Sequence, residues 1–233
     1  GIELLEIRQT IPDRIEWLKI GVDAAELHDD QQAIMQLCLQ LSRVYLQVSQ
    51  NQRGIEVAER ALSIALQLDN ALYEARALTV LSNHLTRLGS LDEAQKHCAR
   101  SVTISEGIDD KNGLGMSYGN MGSLATLKGD YDEGERYQRL SLNVNREIGN
   151  IQGITKSLNN LGSVSWHRGQ LDVARDYYEQ CLQIRQEIND QNGIADVLNN
   201  LGAVSAIAGQ FELARSYWDQ CSEIAERKRM EEK

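Results

Sequence analysis

Glycine recurs along this chain on a fixed ruler. Gly89, Gly129, Gly169 and Gly209 stand forty residues apart, as do Gly122, Gly162 and Gly202, and again Gly113, Gly153 and Gly193. Other columns keep the same register: Leu81, Met121, Leu161 and Leu201; Ile104, Val144, Ile184 and Ile224; and the small residues Ala94, Gly134, Ala174 and Ala214. A period in the range of roughly 20–50 residues marks an array in which one supersecondary unit is stacked on the next. Proline occurs once in the 233 residues, against eighteen glycines. A chain that keeps proline out and spaces glycine evenly reads as helices whose ends glycine marks.

Within the segment 153–192 the first helix is expected over about Ile154 to Arg168, with Leu158, Leu161, Gly162 and Ser165 on the i, i+3, i+4, i+7 spacing of one buried stripe. Gly169 ends it. A second helix from about Leu171 carries Ala174, Tyr177, Tyr178, Cys181 and Ile184 inward, and the small residues Gly162 and Ala174 are expected to let the two backbones approach. The ruler gives five such helix pairs, over about 33–72, 73–112, 113–152, 153–192 and 193–233, the first with Ser49 in place of the turn glycine. Residues 1–32 read as a partial repeat, chiefly its second helix over Ile11 to His28, so the chain is expected to begin mid-repeat and to be cut from something longer. Each unit buries its apolar stripe only against its neighbours, which predicts an all-α, right-handed superhelical solenoid of antiparallel helix pairs. The last helix, Phe211 to about Arg229, is then expected to expose Trp218, Cys221 and Ile224, through truncation or as a surface for self-association.

Composition excludes several functions. A net charge of −10 argues against binding nucleic acid through its phosphates. Charges interrupt every apolar run short of the ~18 residues a membrane span needs, and residues 1–12 lack a signal-peptide pattern, which makes the cytoplasm the expected setting. Cys38, Cys98, Cys181 and Cys221 have no CxxC spacing and read as reduced thiols. His28, His84 and His97 are scattered without an HExxH pattern, so no metal is expected, and no phosphate-loop or nucleophile-elbow motif points to an enzyme or a cofactor. Asp92, Asp132, Asp172 and Glu212 recur in the first turns of second helices, where the helix dipole favours a carboxylate.

The string Leu158-Asn159-Asn160-Leu161-Gly162, followed by Gly169, Leu171, Ala174, Tyr178 and Cys181, resembles the tetratricopeptide repeat, with Leu-Gly at positions 7 and 8, Gly at 15 and Ala at 20. The proline usual at position 32 is missing and the period is forty instead of thirty-four, which is expected to lengthen each second helix by about one and a half turns. Long units of this kind are similar to those of kinesin light chains, Pins-type polarity adaptors and the sensor arrays of bacterial signal-transducing NTPases. The resemblance implies a scaffold that binds a protein or peptide in a concave groove formed by first helices. The alternative it carries is a sensor or regulatory arm of a larger signalling protein, acting through intramolecular or self-association contacts.

Positions 2, 5, 6, 9, 12 and 13 of each first helix would line that groove. Among these thirty positions stand four bases, Arg43, Arg76, Arg87 and Lys156, and one acid, Asp196, while the rest of the chain carries a net −13. A partner of acidic character is therefore expected, because a concave site focuses its field on the ligand. Asn120, Asn160 and Asn200 form a ladder that Asn159 and Asn199 double, able to donate to and accept from a peptide backbone. Trp166 and His167 add an aromatic anchor. Asn83, Asn120 and Lys156 also fall on three of the five positions by which a subgroup of these repeats clamps a peptide's C-terminal carboxylate; Thr79 and Asn160 stand where that subgroup has Lys and Arg, a charge Arg76 or Arg87 could supply.

Overall fold

A computed structural model describes the backbone of residues 10–231 and the side chains of residues 10–227. Eleven α-helices are found among the described residues. They are α1 (Ile11–Leu27), α2 (Gln31–Gln47), α3 (Asn51–Gln67), α4 (Ala71–Arg87), α5 (Leu91–Gly107), α6 (Lys111–Leu127), α7 (Tyr131–Glu147), α8 (Ile151–His167), α9 (Leu171–Glu187), α10 (Gln191–Ile207) and α11 (Phe211–Glu231). Residues 1–9 of the expected partial repeat lie outside the described part.

The period of the backbone is twenty, half that of the sequence. Each helix from α1 to α10 has 17 residues, and three-residue turns separate them. Every turn holds one residue with positive φ. Glycine fills that place at 89, 129, 149, 169 and 209, and Asp29, Ser49, Asp69, Asp109 and Asn189 fill the others. In the turn after α8, Gly169 N–H donates to Trp166 O and Gln170 N–H to Ser165 O, both at 2.9 Å, the Schellman pair that satisfies the last carbonyls of a helix. The first helices also carry a start signal: Asp30, Asn70, Asn150 and Asp190 accept from the N–H of Ala33, Tyr73, Gly153 and Gly193, a cap worth ~1 kcal/mol each. This helix spacing corrects the expected length of the second helices. The six extra residues of the period, 189–194 for example, do not extend α9, which ends at Glu187; they make the turn and the first turn of α10.

The chain divides at Leu124, within α6, into two compact units. In the first, α1 to α5 pack sequentially as antiparallel neighbours and the first helices α2 and α4 also touch. Its core gathers Val22, Ile34, Met35, Cys38, Leu39, Ala61, Ile64 and Ala77. A buried hydroxyl cluster extends that packing: Thr79, Ser101 and Ser117 lie 2.8–3.2 Å apart, and Cys98 donates to Ser117 O. His84, one of the scattered histidines, is fully buried against α3. Its Nε2 lies 3.0 Å from Ser42 Oγ, which itself donates to Gly54 O, and 3.2 Å from Ser42 O, so Nε2 carries the proton. Nδ1 lies 3.2 Å from the Asn51 Oδ1. Burial lowers the pKa of His84, the Ser42 carbonyl opposes that shift, and Arg87 adds to it.

In the second unit α7 to α11 pack in the same sequential way around Leu142, Leu158, Leu161, Ala174, Tyr178, Cys181, Val197, Leu201 and Val204. The expected inward stripes of α8 and α9 are found, with Tyr177 and Ile184 half-buried at the margin. Gly162 has a different part from the one its column suggests. A Cβ there would stand 2.6 Å from the Tyr178 ring, so the glycine makes room for an aromatic side chain and not for a backbone. The same holds for Gly202 under Trp218, at 2.4 Å. Gly153 and Gly193 admit the Asn145 and Arg185 side chains from the preceding second helix. On α11 Trp218 is 41% exposed and Cys221 and Ile224 are half-buried.

Candidate functional site

The five first helices α2, α4, α6, α8 and α10 hold five Lys and Arg against two Asp and Glu, whereas the remaining six helices hold fifteen against twenty-two. How those charges are paired distinguishes the two sets further. Arginines outside the first helices mostly have a carboxylate: Arg60 meets Glu26, Arg100 meets Glu74 at 2.5 Å, Arg136 meets Glu133 at 2.7 Å, Arg139 meets Glu135 at 2.6 Å and Arg185 meets Asp190 at 3.1 Å. Arg168, at the end of α8, reaches both Asp132 and Glu135 on α7. Among the described residues no carboxylate lies within 4.0 Å of Arg43, Arg76 or Arg87. Arg14, Arg53, Arg146 and Arg227 share that lack, each on a separate helix, whereas the first three stand together on α2 and α4.

Arg76 and Arg87 are held in place without being neutralised. The Arg76 guanidinium lies over the Tyr73 ring, 5.2 Å from its centroid, a contact worth roughly 0.5–1 kcal/mol at an exposed site. Arg87 donates from Nη1 to Leu46 O at 2.8 Å, a carbonyl at the C-terminus of α2 that also accepts from Ser49 N–H at 3.3 Å, and this contact fixes one of its five donors. Arg43 is solvent-exposed, yet surrounding protein lowers its pKa, Arg76 lowers it further, and Tyr73 opposes both. Two like charges in one another's field without a counter-ion leave an attraction for an anion unspent. Glu74 is the one acid on α2 or α4, and Arg100 engages it.

Other positions of the expected groove divide into open and closed. Leu39, Thr79 and Val80 are buried, at 3%, 3% and 1% exposure, so the family pattern overcounts the lining there. The Thr79 hydroxyl is spent on Ala75 O and the buried serines. Asn83 is half-buried. Asn120 is 7% exposed and its Nδ2 has no hydrogen-bond partner, an uncommon state for a buried amide.

In the second unit the lining is of a different kind. Asn159 and Asn160 on α8 and Asn200 on α10 are half-buried, Asn199 is exposed, and Asn200 Nδ2 donates to Asn159 Oδ1 at 3.0 Å. The doubled asparagines therefore partly bind each other across the two helices. Lys156 is exposed, as are Trp166 and His167. His167 stacks on Tyr131 at 5.7 Å and 6°, and Trp166 leans on His167 at 4.9 Å and 49°, making an aromatic trio at the end of α8.

Tyr73 and Tyr131 were not among the residues the sequence singles out, although signals for both exist. Tyr73 stands where the ladder of Gly113, Gly153 and Gly193 would place a glycine, and Tyr131 shares a column with Leu91, Leu171 and Phe211. No group of three His, Cys, Asp or Glu able to hold a metal is found among the described residues. None of the described helices is long and apolar enough to cross a membrane.

Antiparallel helix pairs repeated every forty residues define a helical-repeat protein. The tetratricopeptide-repeat profile matches residues 73–147, 113–187 and 153–227, and the chain belongs to that family. Its repeats are typically protein-binding and usually non-catalytic. No curated protein matches the sequence. Among solved structures, BtubC (BKLC) from P. vanneervenii is similar over 95% of this chain and 93% of its own, at a TM-score of 0.77 and 19% identity. A Rap protein complexed with competence and sporulation factor is similar over 91% of this chain and 69% of its own, at 0.72 and 16%. A signal transduction ATPase with numerous domains from Pyrococcus horikoshii, which carries a tetratricopeptide repeat sensor, is similar over 97% of this chain and 40% of its own, at 0.64 and 14%. At these identities the likeness establishes the TPR-like solenoid fold and nothing finer.

Proposed function

We propose that this chain is a recognition module that binds an extended, acidic segment of a protein partner along its first-helix faces. The observation that carries the reading is the set of unpaired guanidiniums of Arg43, Arg76 and Arg87 on a chain whose other arginines mostly have carboxylates. Pairing them internally was available to a sequence with 34 acidic residues, and their isolation leaves the positive field for a ligand. Within the second unit, Lys156, Asn159, Asn160, Asn199 and Asn200 supply donors and acceptors for a peptide backbone, and Trp166 with His167 supplies an apolar contact. The Rap protein similar to this chain is itself complexed with a factor, which agrees with ligand binding by this fold.

A fluorescent twelve-residue peptide rich in Asp and Glu, titrated by anisotropy, tests the reading. Binding is expected, weakening as salt rises from 50 to 300 mM, and a neutral Asn/Gln version is expected to bind at least tenfold less well. Equal binding of the two, or no salt dependence, would overturn it. Comparing free and amidated C-termini tests the carboxylate clamp, which requires the free form to bind better.

A second reading has one observation in its favour. The similar signal transduction ATPase carries its repeats as a sensor, and this chain spans 40% of that protein. As a regulatory arm the array would contact its own parent domains or a second copy, and the exposed Trp218 side of α11 offers a surface for that. Sedimentation of wild type and Trp218→Lys separates the two. A dimer lost on substitution, with no peptide binding, favours the regulatory arm.

A further inference from the structure

We infer that the first unit discriminates among acidic segments by spacing, taking those whose carboxylates lie on one side of an extended strand, two or four residues apart. The inference rests on the acidic-segment reading above and adds a rule for which segment fits.

The face has two cationic points and not a uniform field. One is formed by Arg43 and Arg76 around Tyr73, where the Arg76 guanidinium lies on the ring and Arg43 lies within the field of both residues. The other is Arg87, whose guanidinium is tethered at Leu46 O. Along α2 that tether is three residues beyond Arg43, and along α4 Arg87 is eleven residues beyond Arg76; at a rise of ~1.5 Å per residue these are axial offsets of about 5 and about 17 Å, which bracket the spacing of the two points along the helices. An extended peptide advances ~3.3 Å per residue and turns alternate side chains to opposite faces, so residues two or four apart put both carboxylates on one face about 7 or 13 Å apart. Residues one or three apart present only one carboxylate at a time. No acid stands on α2, and the single acid of α4, Glu74, is held by Arg100, so nothing on these two helices repels a second carboxylate.

Four peptides of identical composition test this, each with two glutamates in an Ala/Thr/Ser background, set one, two, three or four residues apart, titrated against the whole chain by anisotropy. The two even spacings are expected to bind about fivefold tighter than the odd ones, the effect of gaining one partly exposed charge-assisted contact. Arg87→Ala is expected to erase that advantage while preserving the helical circular dichroism. If odd and even spacings bind alike in wild type yet weaken in Arg43→Ala/Arg76→Ala, the spacing rule is wrong and acidic recognition stands. If none of the four shows arginine-dependent binding, acidic recognition fails, and the rule fails with it.

Discussion

Replacing Gly54 with alanine separates packing from helix propensity in this repeat. In an unencumbered helix the change stabilises by up to ~1 kcal/mol, because glycine is the poorer helix former. Here the new Cβ would stand 2.0 Å from His84 Cε1, in the middle of a buried ring. Moving the ring out of a packed interior costs roughly 1–3 kcal/mol. It also breaks the contacts of Nε2 with Ser42 Oγ at 3.0 Å and Ser42 O at 3.2 Å, and stranding those groups costs roughly 1–3 kcal/mol more. The net expectation for Gly54→Ala is a loss of about 2 kcal/mol, read by urea unfolding followed by far-ultraviolet circular dichroism. Two other glycines calibrate the measurement. Gly107, helical with nothing within 4 Å of its Cβ, is expected to stabilise on change to alanine by up to ~0.5 kcal/mol. Gly89, at φ +80° in a turn with equally open surroundings, is expected to lose ~1 kcal/mol through backbone strain alone. In combination with His84→Ala, the Gly54→Ala loss is expected to shrink by about 1 kcal/mol or more, since the ring it strikes is gone. A Gly54→Ala variant as stable as wild type, or losses that simply add, would refute the packing argument.

Further expectations concern pH and the buried amide. His84 has a lowered pKa in the folded chain, so the unfolded chain binds the proton more readily; its contribution to stability is complete above the ordinary histidine value of 6.5 and is lost as pH falls below that toward the folded pKa. Wild type is therefore expected to lose urea resistance between pH 7.5 and 5, and His84→Gln to show a flatter profile; equal slopes would contradict this. Asn120→Leu is expected to raise stability by ~1 kcal/mol by removing an unpartnered buried donor and to weaken acidic-peptide binding several-fold. A variant weakened in stability but unchanged in binding would give Asn120 a purely structural part.

The glycine ruler made the helix pairs legible because an αL turn residue and a close helix approach are local demands that one sequence column can state. The half-period was harder to see. Second helices end on Asp29, Asp69, Asp109, Gly149 and Asn189, a column whose residues differ in type while sharing positive φ. The longer period and the missing proline point to a longer second helix, but neither signal says on which side of the turn the six extra residues fall; the cap at Asp190 places them at the start of the next first helix. The groove was legible as a list of positions, but its energetics were not. That Leu39, Thr79 and Val80 are closed, or that Arg168 finds Asp132 and Glu135 more than thirty residues away, depends on contacts between helices that spacing along one chain does not encode. The isolation of Arg43, Arg76 and Arg87 is likewise a statement about which carboxylates are absent nearby, and only coordinates give it.

Recognition of an acidic segment by first-helix arginines is tested most directly by calorimetric titration of one acidic peptide into two triple variants. Arg43→Ala/Arg76→Ala/Arg87→Ala removes the unpaired set, and Arg60→Ala/Arg100→Ala/Arg136→Ala removes the same charge from arginines already held by carboxylates. The expected result is a loss of tenfold or more in affinity for the first, or ~1.4 kcal/mol, and a change within about threefold for the second. Equal losses in the two variants would show that net charge and not the first-helix face draws the ligand, and would contradict the account.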